Sequence, residues 1–339
     1  MLNAGTLIHG GVMVNYQCTA ACRHCLYSCS PTRGAGYIDE KSAENICRFL
    51  SEGDCRSVHI GGGEPFLDID GLLMVIRKLK RAGIKLEYIE TNAHWAAETA
   101  DQKKAKEILG RLLSEGPCTL CISIDPYHAE YVPYGAPLAL TELCEETGVE
   151  YFLWKREFLH SLSRLDSRKT HSRAEMEKTL SRDYIHKTAR LYGIGYGGRA
   201  VNIEREFGSL CPAESFAPEK PAAGKSAADK SACHNLLSTG HFHVDMYGYF
   251  IPPRCTGIRI PLSEAVEGIP AGKYPAFEAL YSGGVSALLS LARQNGFTPA
   301  GEGYPSACNL CFHIRHFLSE KGFAELDKNH YGEALKYYD

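Results

Sequence analysis

No apolar run in this 339-residue chain approaches the roughly 18 residues that a membrane-spanning helix needs. The N-terminal stretch MLNAGTLIHGGVMVNYQC has no basic segment followed by an apolar core and a small-residue cleavage site, so it does not read as a secretory signal. Long basic blocks are also missing. Against 37 Lys and Arg stand 40 Asp and Glu, a formal charge of −3, without the electrostatic footprint of a nucleic-acid binder. We therefore expect a cytoplasmic protein with neither a membrane nor a nucleic acid as partner. Hydrophobic residues form 44% of the chain, ample for a buried core in one large domain or two ordinary ones.

Cysteine is what the chain has in excess. Fourteen cysteines in a cytoplasmic protein point to metal or redox chemistry rather than disulfides. Four of them fall within NYQCTAACRHCLYSCS, residues 15–30, where Cys18, Cys22 and Cys25 follow a C-x3-C-x2-C rule. Three thiolates so spaced can wrap one metal centre from a single loop, and soft sulfur selects zinc, copper(I) or an iron–sulfur cluster. A structural zinc takes a fourth ligand, from Cys29, His24 or a distant residue. A cubane with three cysteine ligands instead leaves one iron open to a bidentate small molecule. Cys29 is otherwise a spare thiol beside the centre.

Six short apolar runs read as strands, at 11–17, 57–63, 86–92, 119–125, 149–154 and 191–198. Between them lie amphipathic or charged segments at 39–53, 68–83, 97–116, 136–148 and about 160–190, which read as helices. Repeated strand-then-helix units with crossover-length spacers imply parallel strands joined right-handedly. Six units are too few for a closed eight-stranded barrel. The expected class is α/β, a partial (β/α)6 TIM-like barrel over residues 1–200 with chemistry at the C-terminal strand ends. Residues 201–339 then form a small Cys-rich α+β domain, with a flexible loop near 212–232, rich in Pro, Ala, Lys and Ser, and a C-terminal helix.

The triad follows the first strand and has an aromatic-type residue, His24, directly before its third cysteine. In this it resembles the radical S-adenosylmethionine (SAM) enzymes. The resemblance implies a 4Fe–4S cluster on Cys18, Cys22 and Cys25, with the amino and carboxylate groups of SAM on the open iron. It also implies reductive cleavage of SAM to a 5′-deoxyadenosyl radical that removes a hydrogen atom from a substrate, with an electron donor such as flavodoxin or ferredoxin. The difficult chemistry then belongs to the cofactor, and binding and alignment to the protein.

HIGGGEPF, residues 59–66, ends the second strand with a glycine run and a carboxylate. It matches the family's Gly-Gly-Glu-Pro motif, which lines the SAM amino group, so Gly62, Gly63, Glu64 and Pro65 carry over, Glu64 as a charge-assisted acceptor for an ammonium. The third and fourth strands end in ETN and SID, making Asn92, Ser123 and Asp125 candidate contacts to SAM or substrate. With a two-residue period Cys121, Ser123 and Asp125 share a face while Cys118 points away, so CTLC is not a chelating pair. DPYHAEYVPYG, residues 125–135, offers three tyrosine rings and an imidazole to a pocket. GIGYGGRA, residues 193–200, resembles the Gly-rich, Arg-containing sixth-strand end of family members with a C-terminal cluster domain, which makes Arg199 a candidate for SAM or substrate binding.

Beyond residue 200 lie Cys211, Cys233, Cys255, Cys308 and Cys311. Cys233 and Cys255 bracket a hairpin-like alternation, and Cys308 and Cys311 form a C-x2-C. Together they make one four-thiolate site, for zinc or 4Fe–4S alike. The arrangement is similar to the SPASM/Twitch extension, with Gly248 as its hairpin glycine. The lack of further cysteines after Cys311 favours the shorter Twitch form, with a single auxiliary 4Fe–4S cluster. Cys211 is left over to pack, to replace one of the four ligands, or to give a hydrogen atom to a substrate radical. Asp125 and Cys211 are the catalytic candidates.

The resemblance implies an enzyme acting on a peptide or protein side chain. Two alternatives stay open: radical chemistry on a small metabolite, and a non-catalytic zinc or iron–sulfur scaffold or electron carrier.

Overall fold

The computed structural model describes residues 2–34, 36–97, 102–216 and 233–337. Eight strands form one sheet: β1 (Gly10–Met13), β2 (Ser57–Gly61), β3 (Lys85–Thr91), β4 (Thr119–Ser123), β5 (Glu150–Trp154), β6 (Phe242–Val244), β7 (Tyr249–Ile251) and β8 (Ile260–Pro261). Their order is β5-β4-β3-β2-β1-β6-β7-β8. From β5 through β6 every neighbouring pair is parallel, and β6-β7-β8 is an antiparallel meander. The class is α/β, as the sequence implied.

Helices Glu40–Glu52, Ile69–Arg81, Gln102–Glu115 and Gly135–Thr147 fill the crossovers. The first shows why: Asp39 caps it by accepting from the Ser42 amide, and Ala43, Ile46, Cys47 and Leu50 make a buried stripe at helical spacing. These stripes pack on the sheet face that carries Val12, Val58, Ile60, Ile89, Leu120, Ile122, Phe242 and Val244, forming the principal core. Cys118 packs at its edge. The opposite face brings polar side chains together. A Cβ on Gly11 would fall 2.4 Å from His59 Nε2, and one on Gly61 2.7 Å from the Glu90 carboxylate, so glycine there leaves room for that polar set.

The sixth strand expected at 191–198 does not form. Helix Tyr184–Tyr192 runs into this segment and ends at Gly193, which takes the left-handed conformation (φ 70°). Residues 193–199 continue as an irregular loop with glycines at 193, 195, 197 and 198. The sixth parallel strand is instead β6, the first strand of the hairpin, which adds to the β1 edge with Gly10 opposite Phe242 and Gly11 opposite His243.

A second apolar core gathers Val201, Ile258, Phe277, Leu280, Leu288, Leu310, Phe312, Ile314 and Tyr331, largely from helices Pro275–Gln294, Ala307–Glu320 and Lys328–Lys336. The expected C-terminal helix is thus two helices, separated near Gly322 (φ 85°). Of the expected flexible loop, residues 217–232 lie outside the described residues, and Ala213–Phe216 is a single helical turn. Among the described residues no helix is long and apolar enough to cross a membrane.

Candidate functional site

Chain leaving β1 enters the cysteine loop, which closes on itself where the Cys18 amide donates to the Ser30 carbonyl at 3.1 Å. Amide hydrogens approach the sulfurs: Ala20 N lies 3.4 Å from Cys18 Sγ and Cys29 N 3.4 Å from Cys25 Sγ. The Asn92 side-chain amide adds a contact of 3.6 Å to Cys18 Sγ. The Cys25 thiol is held well below its ordinary value by the hydrogen bond from Cys29, with burial opposing and the Arg199 charge assisting. Cys29 reaches on to the Gly62 carbonyl at 3.6 Å. The spare thiol thus ties the triad to the glycine run.

That run is fitted against the same loop. A Cβ on Gly63 would stand 1.9 Å from the Gln17 carbonyl oxygen, so only glycine allows this approach. Asn15 locks it from both sides, its Oδ1 accepting from the Gly63 amide and its Nδ2 donating to the Glu64 carbonyl, each at 2.9 Å. The Glu64 carboxylate accepts from Phe66 N at 3.2 Å, Thr91 Oγ1 at 2.9 Å and Asn92 N at 2.9 Å. Burial nevertheless pushes Glu64 up to about 7. Asn92 in turn donates to Thr19 Oγ1 at 3.0 Å. Cys18, Gly63, Glu64 and Asn92 therefore form one connected set across the C-terminal ends of β1, β2 and β3. Pro65 opens the short 3-10 turn that follows and is buried.

Asp125 caps the turn Pro126–Ala129, accepting from the Tyr127 and His128 amides, and receives His128 Nδ1 at 2.6 Å. Burial pushes its carboxyl up, but the charge on His128 and the hydrogen bonds from it prevail and hold it well below the usual carboxylate range. His24 stacks on Tyr127 with centroids 4.8 Å apart and lies 3.9 Å from Asp125; burial lowers it to about 4. Ser123 ends β4 opposite Trp154. Arg199 is 2% exposed and faces the cysteine loop, donating to the carbonyls of Cys22 and Cys29. Its Nη1 has no hydrogen-bond partner among the described residues. Sequence reasoning missed Asn15, His128 as the partner of Asp125, and Glu90, which burial and the neighbouring Cys25 push up to about 7. Only an inward-facing carboxylate on β3 hinted at Glu90, and nothing local pointed to Asn15.

Cys233, Cys255, Cys308 and Cys311 lie near one another elsewhere. Cys255 is pushed up to about 12, first by burial and then, with Arg315 opposing, by the charges of Cys311, Cys233 and Cys308. Cys308 opens helix Ala307–Glu320, which Ser306 caps by accepting from the Asn309 amide. Cys233 and Cys255 bracket β6 and β7, joined through Gly248 at φ 82°. Cys211 is half-buried and pairs backbone to backbone with Tyr304.

Both sulfur sets suit soft-metal or iron–sulfur ligation by donor type; the Cys29 contact favours thiolate at Cys25, whereas burial, Cys22 and Glu64 hold the Cys18 thiol well above its ordinary value against the Ala20 amide. Residues 12–141 match the model of the Radical SAM superfamily. YydG of Bacillus subtilis (strain 168), named for peptide biosynthesis, is 29% identical over 121 residues, which is 36% of this chain and 37% of that protein. The match thus spans well under half the length of this relative. Among solved structures, anSMEcpe with bound AdoMet and Kp18Cys peptide aligns with a TM-score of 0.45 and 13% identity over 98% of this chain and 95% of that one. BtrN in complex with AdoMet and 2-DOIA aligns with a TM-score of 0.42 and 15% identity over 84% and 90%. Residues 12–141 of this chain are thus similar to the radical SAM domain.

Proposed function

We propose that the chain is a radical SAM enzyme that modifies a peptide or protein side chain. Cys18, Cys22 and Cys25 hold a 4Fe–4S cluster, Gly62, Gly63, Glu64 and Pro65 line the SAM amino group, and His24, Asn92, Ser123 and Asp125 complete its pocket. With cluster and SAM bound, the site supplies reductive cleavage of the sulfonium and removal of a hydrogen atom from the substrate. The protein's own part is alignment. The observation that carries this reading is the Asn92 bridge, with its side chain on Cys18 Sγ and its amide on the Glu64 carboxylate. It couples the cluster loop to the cofactor motif through one residue. Arg199 supports the loop from behind, and its unpartnered Nη1 is the atom left for a ligand.

The peptide part of the proposal draws on the relative named for peptide biosynthesis. Cys233, Cys255, Cys308 and Cys311 are assigned a second, auxiliary 4Fe–4S cluster, Cys211 the role of hydrogen donor, and a flavodoxin or ferredoxin the role of reductant. The boundary between the cofactor domain and the auxiliary domain is set near residue 200, where the second apolar core begins with Val201.

The test is anaerobic reconstitution with SAM and dithionite, followed by mass spectrometry for 5′-deoxyadenosine. Wild type should bind about eight irons, two four-iron clusters, and release the product. A Cys18/Cys22/Cys25→Ala variant should release none, and Cys255→Ala should lose about half the iron. Zinc in place of iron, with SAM intact, sinks the enzyme reading. Turnover that a small metabolite stimulates and no peptide does would replace the substrate class.

A further inference from the structure

Toward the N-terminal ends of the central strands four histidines meet, one of them, His243, with its ring 5.0 Å from that of Tyr27 in the cysteine loop. His9 directly precedes β1, His59 lies in β2, His241 directly precedes β6 and His243 lies within β6. One ring nitrogen from each of His9, His59 and His241 lies within 4.8 Å of one from each of the others. His59 is fully buried, its Nε2 is 3.1 Å from His243 Nε2, and its Nδ1 has no hydrogen-bond partner among the described residues. The Nδ1 of His9 is likewise unpartnered and lies 3.5 Å from a carboxylate oxygen of Glu87 in β3.

We propose that His9, His59 and His241 bind one divalent transition-metal ion of the zinc type, with the Glu87 carboxylate as the oxygen ligand. The division of labour on His59 is what a ligating imidazole requires. One nitrogen is hydrogen-bonded to a neighbour, here His243 Nε2, and with His59 as the donor of that bond the other lone pair is left for the metal. Burial and the nearby His241 and His9 rings push His59 down to about 3, and burial lowers His241 and His243 also.

Zinc–nitrogen bonds of about 2.0–2.1 Å place tetrahedral nitrogens roughly 3.4 Å apart, so the set must contract slightly. His59 is fixed on a central strand, whereas His9 and Glu87 are half-buried and His241 is exposed, free to close onto it. The ion would join the start of β6 to β1, β2 and β3. It would thereby fasten the hairpin of the Cys-rich half to the parallel sheet, a structural role independent of the SAM reading.

The measurement is zinc and iron content of cluster-loaded protein after one equivalent of zinc and dialysis against a weak chelator, with X-ray absorption at the zinc edge. We expect about one retained zinc per chain with nitrogen and oxygen neighbours at about 2.0–2.1 Å. The double variant His9→Ala/His241→Ala, which removes a half-buried and an exposed ring, should retain at least tenfold less zinc with iron unchanged. Sulfur neighbours at about 2.3 Å would move the zinc to the cysteines and overturn the proposal. So would equal zinc in the variant, or none retained by wild type.

Discussion

Arg199 donates from Nε to the carbonyl oxygen of Cys22 at 2.9 Å, across 177 residues of sequence, while its Nη2 takes the carbonyl of Cys29 at 2.5 Å. One planar guanidinium thus fixes two points of the cysteine loop, and its own amide fixes a third by donating to Cys25 O at 3.1 Å. Gly198 makes this approach possible, since a Cβ there would fall 2.2 Å from Leu26 O.

Removing that clamp should loosen the loop. Arg199→Ala takes the guanidinium donor from the Cys29 carbonyl, at about 1–3 kcal/mol, and leaves the Cys22 carbonyl with the Cys25 amide alone. Lysine can serve one of them but lacks the rigid fork. Iron retained after reconstitution, and the thermal midpoint, should therefore fall in the order wild type, Arg199→Lys, Arg199→Ala. If Arg199→Ala kept full iron and stability but lost SAM affinity, Arg199 would be a ligand contact rather than a positioning residue.

Asn15 offers a sharper separation of loop from ligand. Asn15→Ala removes the side-chain bonds to the Gly63 amide and the Glu64 carbonyl, leaving the first with the residue-15 backbone carbonyl and the second with the Leu67 amide. The damage is confined to the glycine run, so iron content should stay near wild type while SAM binding weakens about tenfold or more, equivalent to at least 1.4 kcal/mol. Equilibrium SAM binding to the reconstituted protein reads this directly. Unchanged affinity would mean that residues 62–65 do not line the cofactor.

The contrast between two glycines shows what was legible in the sequence and what was not. Gly148, ending a helix at φ 80° with open space around it, is a local signal that marks a helix stop. The same kind of local information exposed the first five strands and their helices, because each buries a stripe with its own period. Gly63 matters through Gln17, and Arg199 through Cys22, contacts that no neighbouring residue announces. The misplaced sixth strand has the same origin. LYGIGYGG has apolar residues at strand-like spacing, yet its glycines serve a loop under the cysteines. The real partner of β1 is a three-residue strand more than two hundred residues away, paired by the fit of Gly10 against Phe242.

Those two glycines also make a prediction. Gly148→Ala should cost only about 1–2 kcal/mol, the strain of a left-handed non-glycine residue. Gly63→Ala sets a methyl 1.9 Å from backbone oxygen, a clash no rotamer relieves, and should abolish both SAM binding and iron retention. Thermal melts and iron assays of the two variants side by side decide it. A benign Gly63→Ala would mean that the loop and the glycine run are not in contact.

Asp245 carries the pH dependence we expect to be easiest to isolate. It is 2% exposed at the turn between β6 and β7, accepting from Tyr16 Oη at 3.0 Å and from the amides of Tyr247 and Tyr249. Burial outweighs those donors and pushes its carboxyl up from 3.8 to about 6. The folded protein then holds this proton in a range where the unfolded chain has released it. Its contribution to stability is fully present below pH 3.8 and is lost as pH rises through 6, a change of about 3 kcal/mol. Asp245→Asn keeps the shape and cannot ionise. Relative to wild type it should gain stability as pH rises from 4 to 6 and keep that gain, up to about 3 kcal/mol, above pH 6 when paired thermal melts are run across the range. A variant that instead loses ground as pH rises would show that the three donors prevail over burial, and that the carboxylate is the form the hairpin turn was built to hold.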